Sequence, residues 1–161
     1  MLKLTLTLGL PGSGKTTWTR DYIKDKPMTV VICRDDIRQM LNGGSYIFYG
    51  SRESMILEMR TQMALIAAAT GYDVVLDETM ANPKHLVQII DVFRSRYGAD
   101  VFISGVYFDT DAEECKLRRS HDTKGIDGGG WSAIIDGMAK AYVRPDPTVF
   151  DEFITIKGGV L

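Results

Sequence analysis

Eight residues constrain this chain more than any others. Gly9-Leu10-Pro11-Gly12-Ser13-Gly14-Lys15-Thr16 satisfies the pattern G-x-x-x-x-G-K-[ST]. Leu4 to Leu8 precedes it, an alternating and then apolar run that predicts a buried first strand. Thr17 to Lys24 follows and predicts the opening of a helix. A strand, a glycine-rich loop and a helix start in that order separate a phosphate-binding loop from the plain alternative, a glycine-rich turn. Glycines let successive backbone N–H groups point at phosphate oxygens, and the helix N-terminus adds partial positive charge. Gly9, Pro11, Gly12, Ser13, Gly14, Lys15, Thr16 and Thr17 are therefore the expected phosphate-binding set. Lys15 would reach the β- and γ-phosphates, and the Thr16 hydroxyl would ligate Mg²⁺.

A chain of 161 residues suits one domain with one sizeable core. With 45% hydrophobic and 25% charged residues it resembles ordinary soluble globular proteins. A net charge of −2 supplies no global basic field, so any nucleic-acid contact must be local. Cys33 and Cys115 match no metal spacing and form no disulfide framework, which points to a reducing interior. No stretch approaches the roughly 20 apolar residues of a membrane helix, and the N-terminal apolar run is too short for a signal peptide. The expected setting is the cytoplasm, or the cytoplasm of a host.

Strand and helix signals alternate along the chain. Strands are expected at Met28–Cys33, Val74–Leu76, Val101–Phe108 and Glu152–Ile156. Helices are expected from Arg34, and at Arg52–Thr70, Pro83–Tyr97, Ala112–Ser120 and Trp131–Val143. The predicted fold is α/β: a mostly parallel sheet of about five strands, helices on both faces, and a lid near residues 112–132. Ligands bind outside the C-terminal ends of the strands in such sheets.

Arg34-Asp35-Asp36-Ile37-Arg38 falls on that rim, directly after the second strand. Transfer of a phosphoryl group to a hydroxyl needs a group to orient or deprotonate the hydroxyl and a cation near the acceptor. Asp35 can be the base, and Arg38 lies one turn later on the same side. The plainer alternative is an acidic helix cap with a surface pair.

Together with Gly9–Trp18, this cluster resembles the 5′-hydroxyl polynucleotide kinases of phages and their relatives. More broadly it resembles the small P-loop kinases that include zeta-toxin-like, gluconate and antibiotic kinases. Val74-Val75-Leu76-Asp77-x-Thr79-x-x-Asn82-Pro83 is similar to that family's third-strand motif. The resemblance implies a P-loop kinase fold and ATP-dependent, Mg²⁺-assisted transfer of the γ-phosphate to a hydroxyl. Lys15 and Thr16 would bind phosphate and Mg²⁺, Asp35 would be the base, and Arg38 would hold the acceptor nucleotide's phosphate. The acceptor would be a single-stranded or otherwise exposed nucleic-acid end.

Either Asp77 or Glu78 could hold Mg²⁺; Asp77 fits the broader group better, and a strand-end cap is the alternative. Thr79 could bond the acceptor. Arg118 matches the first arginine of the family's lid helix, but Asp122 stands where a second is usual. Arg119 or Lys124 could take that role instead. Tyr46, Phe48 and Tyr49 could stack on a base or simply pack. Arg144-Pro145-Asp146-Pro147 lies where this fold often contacts adenine. The chain has no Asp-x-Asp-x-Thr phosphatase motif, so a kinase without a phosphatase partner domain is expected. A kinase for a nucleoside, sugar, antibiotic or hydroxymethylated base in DNA is the second expectation, and a nucleotide-dependent binding module the third.

Overall fold

The computed structural model describes residues 1–121 and 130–158. Strand β1 (Leu2–Leu8) is the centre of a five-stranded sheet with β2 (Thr29–Ile32), β3 (Asp73–Leu76), β4 (Val101–Asp109) and β5 (Glu152–Lys157). All pairings are parallel, and the order is β2-β3-β1-β4-β5. Around the sheet lie α1 (Lys15–Ile23), α2 (Arg34–Leu41), α3 (Glu53–Ala69), α4 (Pro83–Tyr97), α5 (Ala112–Ser120) and α6 (Gly130–Ala141), with helices on both faces of the sheet.

The alternation in β1 explains its place. Leu4, Leu6 and Leu8 are fully buried and join the main core with Ile56, Ala64 and Ala68 of α3 and Leu86, Ile89 and Phe93 of α4. Thr5 and Thr7 point the other way and are buried too, as expected for a central strand covered on both sides. A second cluster of Cys115, Trp131 and Ile135 packs α5 against α6, with Leu10 of the glycine-rich loop against it.

Capping residues set the helix starts. Asn82 accepts from the Lys84 N–H ahead of Pro83 at the head of α4, and Asp111 accepts from the Glu113 N–H at the head of α5. α1 begins at Lys15, two residues earlier than expected, because Gly14 is its cap in the left-handed conformation (φ 105°). α3 and α6 end one and two residues short of the expected ranges.

Gly105 is a steric requirement of the sheet. A Cβ there would lie 2.8 Å from Cε1 of Phe150, a ring that is itself buried. Gly105→Ala should lower stability by about 1–3 kcal/mol through overpacking, read from the denaturant midpoint. In a Phe150→Leu background the added cost should shrink, because the clashing ring is gone. An undiminished cost would place the strain elsewhere.

Candidate active site

The loop between β1 and α1 is shaped by its contacts. The Gly9 N–H donates to the carbonyl of Thr79 (3.2 Å), and Thr110 Oγ1 donates to the Ser13 carbonyl (3.1 Å). Gly12 has φ 81°, and a Cβ there would meet the Cys115 carbonyl at 2.6 Å. The loop is thus wedged against the backbone of α5, and only glycine fits. Gly14 caps α1 without a side-chain acceptor. The first N–H groups of the helix therefore face the loop mouth, the arrangement that suits an anion. Thr16 and Thr17 are exposed at that mouth.

Lys15 is only 7% exposed. Its Nζ donates to the carbonyls of Gly9 (2.9 Å) and Leu10 (2.6 Å) and to Ser13 Oγ (3.3 Å). Burial lowers its pKa to about 8, against the opposing pull of Asp77. Asp77 is thus the carboxylate with the largest effect on the loop lysine. It is buried, and Thr7 Oγ1 donates to its Oδ1 (3.2 Å) while accepting from the Glu78 N–H (3.2 Å). Glu78 turns elsewhere. Its Oε2 pairs with Arg34 Nε at 3.1 Å and its Oε1 with Arg60 Nε at 3.8 Å. Burial pushes its carboxyl up, opposed by those two arginines. Asp77 and Glu78, left as alternatives by the sequence, therefore occupy different surroundings. Met80, three residues beyond Asp77, is a buried residue with φ 47°, a strained conformation of the kind that gathers at functional rims.

Cys33 caps α2 with no side-chain hydrogen bond. Asp35 therefore does not act as the helix cap. Its Oδ1 accepts from Arg38 Nη1, and about half of its side chain is exposed. Glu53, at the start of α3, clasps the other edge of Arg38 through Nε (2.9 Å) and Nη2 (2.6 Å). Burial opposes the Arg38 charge, but Glu53 and Asp35 outweigh it and raise its pKa above that of ordinary arginine. Arg34 lies 3.9 Å from Glu53 and continues the chain of charges to Glu78 and Arg60.

The cationic residues of α5 diverge. Arg118 bonds Glu114 (2.8 Å) and the Gly158 carbonyl (2.8 Å). Arg119 lies along the glycine-rich loop. Its Cγ would stand 3.1 Å from a Cβ on Gly12, and its guanidinium covers the Trp131 ring at 4.4 Å. Lys116 pairs with Glu113 and Asp136. Lys124 and Asp122 lie outside the described residues. Thr79 contributes its carbonyl, which accepts from Gly9 N–H and from the Tyr142 hydroxyl (3.1 Å).

Two residues of the site escaped sequence reasoning. Thr7 carried a faint signal, as the last polar residue of an alternating central strand. Glu53 carried none, because only the folding of α2 against α3 brings it to Arg38.

A family model described as an AAA domain matches residues 4–122, and the chain belongs to that family of P-loop kinase-type domains. Among solved structures, one chain of the Pnkp1/Rnl/Hen1 RNA repair complex is 26% identical with a TM-score of 0.69; the match covers 87% of this chain and 45% of that one. The chain thus spans under half the length of that relative. The Mycobacterium tuberculosis APS kinase CysC, in complex with AMPPNP and APS, is 22% identical with a TM-score of 0.66, covering 96% of this chain and 88% of that one. A fungal RNA kinase is 17% identical with a TM-score of 0.67, covering 97% and 74%. The last two likenesses are of fold. The P-loop kinase-like fold of the chain implies ATP binding. Among the described residues, no helix is long and apolar enough to cross a membrane.

The Lys15 environment has a pH signature. Below about pH 8 the lysine is charged in both folded and unfolded chains, and its burial penalty is fully present. Between about 8 and 10.5 the folded chain has lost this proton while the unfolded chain still holds it, so the penalty is relieved as pH rises. The stability of Lys15→Met relative to wild type should therefore fall by about 2 kcal/mol between pH 7 and pH 9.5 in paired denaturant titrations. A pH-independent difference would refute the buried charge. Lys15→Ala should retain less than about a tenth of wild-type phosphoryl transfer, since a lost transition-state contact costs at least ~2–3 kcal/mol.

Proposed function

We propose that this chain transfers the γ-phosphate of ATP to the 5′-hydroxyl end of DNA or RNA, as one kinase domain with residues 112–132 as its cover. The observation that carries the reading is the order of groups along the sheet rim. The phosphate loop follows β1, Asp77 follows β3, and the Asp35–Arg38 pair follows β2, so the three groups of residues lie at the ends of three neighbouring strands. The 26% identity to a chain of an RNA repair complex supports a nucleic-acid acceptor.

In this reading the loop N–H groups and Lys15 hold the β- and γ-phosphates. Thr16 and Asp77 fit Mg²⁺, which needs only one or two protein oxygens beside the phosphates; bound there, it would neutralise developing charge on those phosphates. Asp35 accepts the proton of the 5′-hydroxyl as its oxygen bonds the γ-phosphorus. The bond from that phosphorus to the β–γ bridging oxygen breaks, and ADP leaves. Arg38 holds Asp35 in place and takes the phosphate beside the acceptor sugar, exchanging a carboxylate for it. Thr79 would bond the acceptor. Arg119, along the loop, suits charge stabilisation on the transferring group better than Arg118 does.

A second reading rests on Arg38 itself. Both of its edges already face carboxylates, Asp35 and Glu53, which suits an acceptor hydroxyl with no phosphate, as in a small-molecule kinase.

Asp35→Asn should leave ATP affinity unchanged by calorimetry and lower turnover by roughly 10² or more. Weakened ATP binding with normal turnover would assign Asp35 to the metal or the fold. Arg38→Ala separates the two readings. It should raise KM for a 5′-hydroxyl oligonucleotide, or for a nucleoside 3′-monophosphate, far more than KM for ATP. If wild type phosphorylates a free nucleoside or sugar as well as an oligonucleotide, and Arg38→Ala affects both alike, the small-molecule reading replaces the first.

A further inference from the structure

The segment between α2 and α3 exposes three consecutive apolar side chains. Ile47, Phe48 and Tyr49 are 40%, 60% and 44% exposed. Two of the three are aromatic, and an exposed ring offers a face on which a planar group can stack. The segment is braced. Asn42 Nδ2 donates to the carbonyls of Arg38 (2.7 Å) and Ile47 (3.3 Å), and its Oδ1 accepts from Arg52 Nη1 (2.9 Å). The Arg52 N–H donates to the Tyr49 carbonyl (2.9 Å).

Each exposed ring has an arginine beside it. The Arg38 guanidinium lies 5.5 Å from the Phe48 centroid, and that of Arg52 lies 4.6 Å from the Tyr49 centroid. Arg38 is the residue paired with Asp35, so the row of rings begins at the acceptor pair. Tyr46 lies within electrostatic reach of Asp35, Arg38 and Glu53, and of Arg119 on α5. Aromatic faces alternating with guanidinium groups match the alternating bases and phosphates of a single strand. With a net charge of −2, the chain has no broad basic field to grip a duplex. A short stacked contact is what these residues offer instead.

We infer that Phe48 and Tyr49, flanked by Arg38 and Arg52, form a stacking shelf for the nucleotides that follow the 5′-terminal one in a single-stranded acceptor. The inference rests on the polynucleotide kinase reading and adds a preference to it. Unpaired ends several nucleotides long bind better than mononucleotides, because only they reach the shelf.

The test compares KM for a 5′-hydroxyl octanucleotide with KM for a nucleoside 3′-monophosphate. Wild type should favour the octanucleotide. Phe48→Ala and Tyr49→Ala should each raise the ratio of the octanucleotide KM to the mononucleotide KM about tenfold, the scale of one lost base stack. Phe48→Tyr should keep the wild-type ratio. Ile66→Ser, at an exposed position of α3 outside the site, should not change it. Equal affinity of wild type for the two acceptors would overturn the shelf. So would alanine variants that move both KM values by one factor, or neither, the latter being the result for a loop that docks a protein instead. A wild type that phosphorylates no nucleic-acid end at all would overturn the kinase reading itself, a different outcome from any of these.

Discussion

The ammonium of Lys15, buried beneath its own loop, organises the glycine-rich loop between β1 and α1. Removing a charge from water is costly unless donors and acceptors replace the solvent. Here the carbonyls of Gly9 and Leu10 and the Ser13 hydroxyl replace it. They can do so only because the loop curls tightly, with Gly12 pressed on the Cys115 carbonyl and Gly9 tied to Thr79. The same curl turns the first N–H groups of α1 toward the mouth. A loop shaped to satisfy one buried cation is thereby shaped to receive an anion, and burial poises the lysine near neutral pH.

The rim beside β2 and β3 is organised by a row of alternating charges. Asp35, Arg38, Glu53, Arg34, Glu78 and Arg60 run from the half-exposed rim into the interior between α2, β3 and α3. Buried pairs of this kind contribute little net stability, but removing one member strands the others and is costly. Their structural effect is orientation. Glu53 holds one edge of Arg38, so the other edge faces Asp35. Arg34 and Arg60 hold Glu78 away from Asp77, which leaves Asp77 as the carboxylate acting on the phosphate loop. Adjacent acids with opposite allegiance follow from the end of a strand, where successive side chains leave on opposite faces.

Much of this architecture was legible in the sequence because it is local. The glycine pattern between strand and helix, the apolar runs of the five strands, and the Asn82-Pro83 cap all act over a few residues. Asp35 and Arg38 are one turn apart, so their proximity needs no tertiary knowledge. The start of α1 slipped because the backbone geometry of the loop decided it. α1 starts at Lys15 because the loop forces Gly14 into a left-handed cap, which a propensity reading of Thr17 onward does not see.

What lay beyond the sequence depended on residues distant in the chain. The different surroundings of Asp77 and Glu78 come from Thr7, from Arg34 and Arg60, and from Lys15, all remote from β3 in sequence. The meeting of Arg38 with Glu53 depends on how α2 packs on α3. The different surroundings of Arg118 and Arg119 depend on the C-terminal segment and on α6. The sequence by itself determined the phosphate loop, the strand–helix alternation and the acidic–basic pair, since each is set by steric and hydrogen-bonding rules within a turn or two. Only the tertiary structure decided which charged groups share a neighbourhood, because a charge's role is set by distance in space and by the solvent that packing removes.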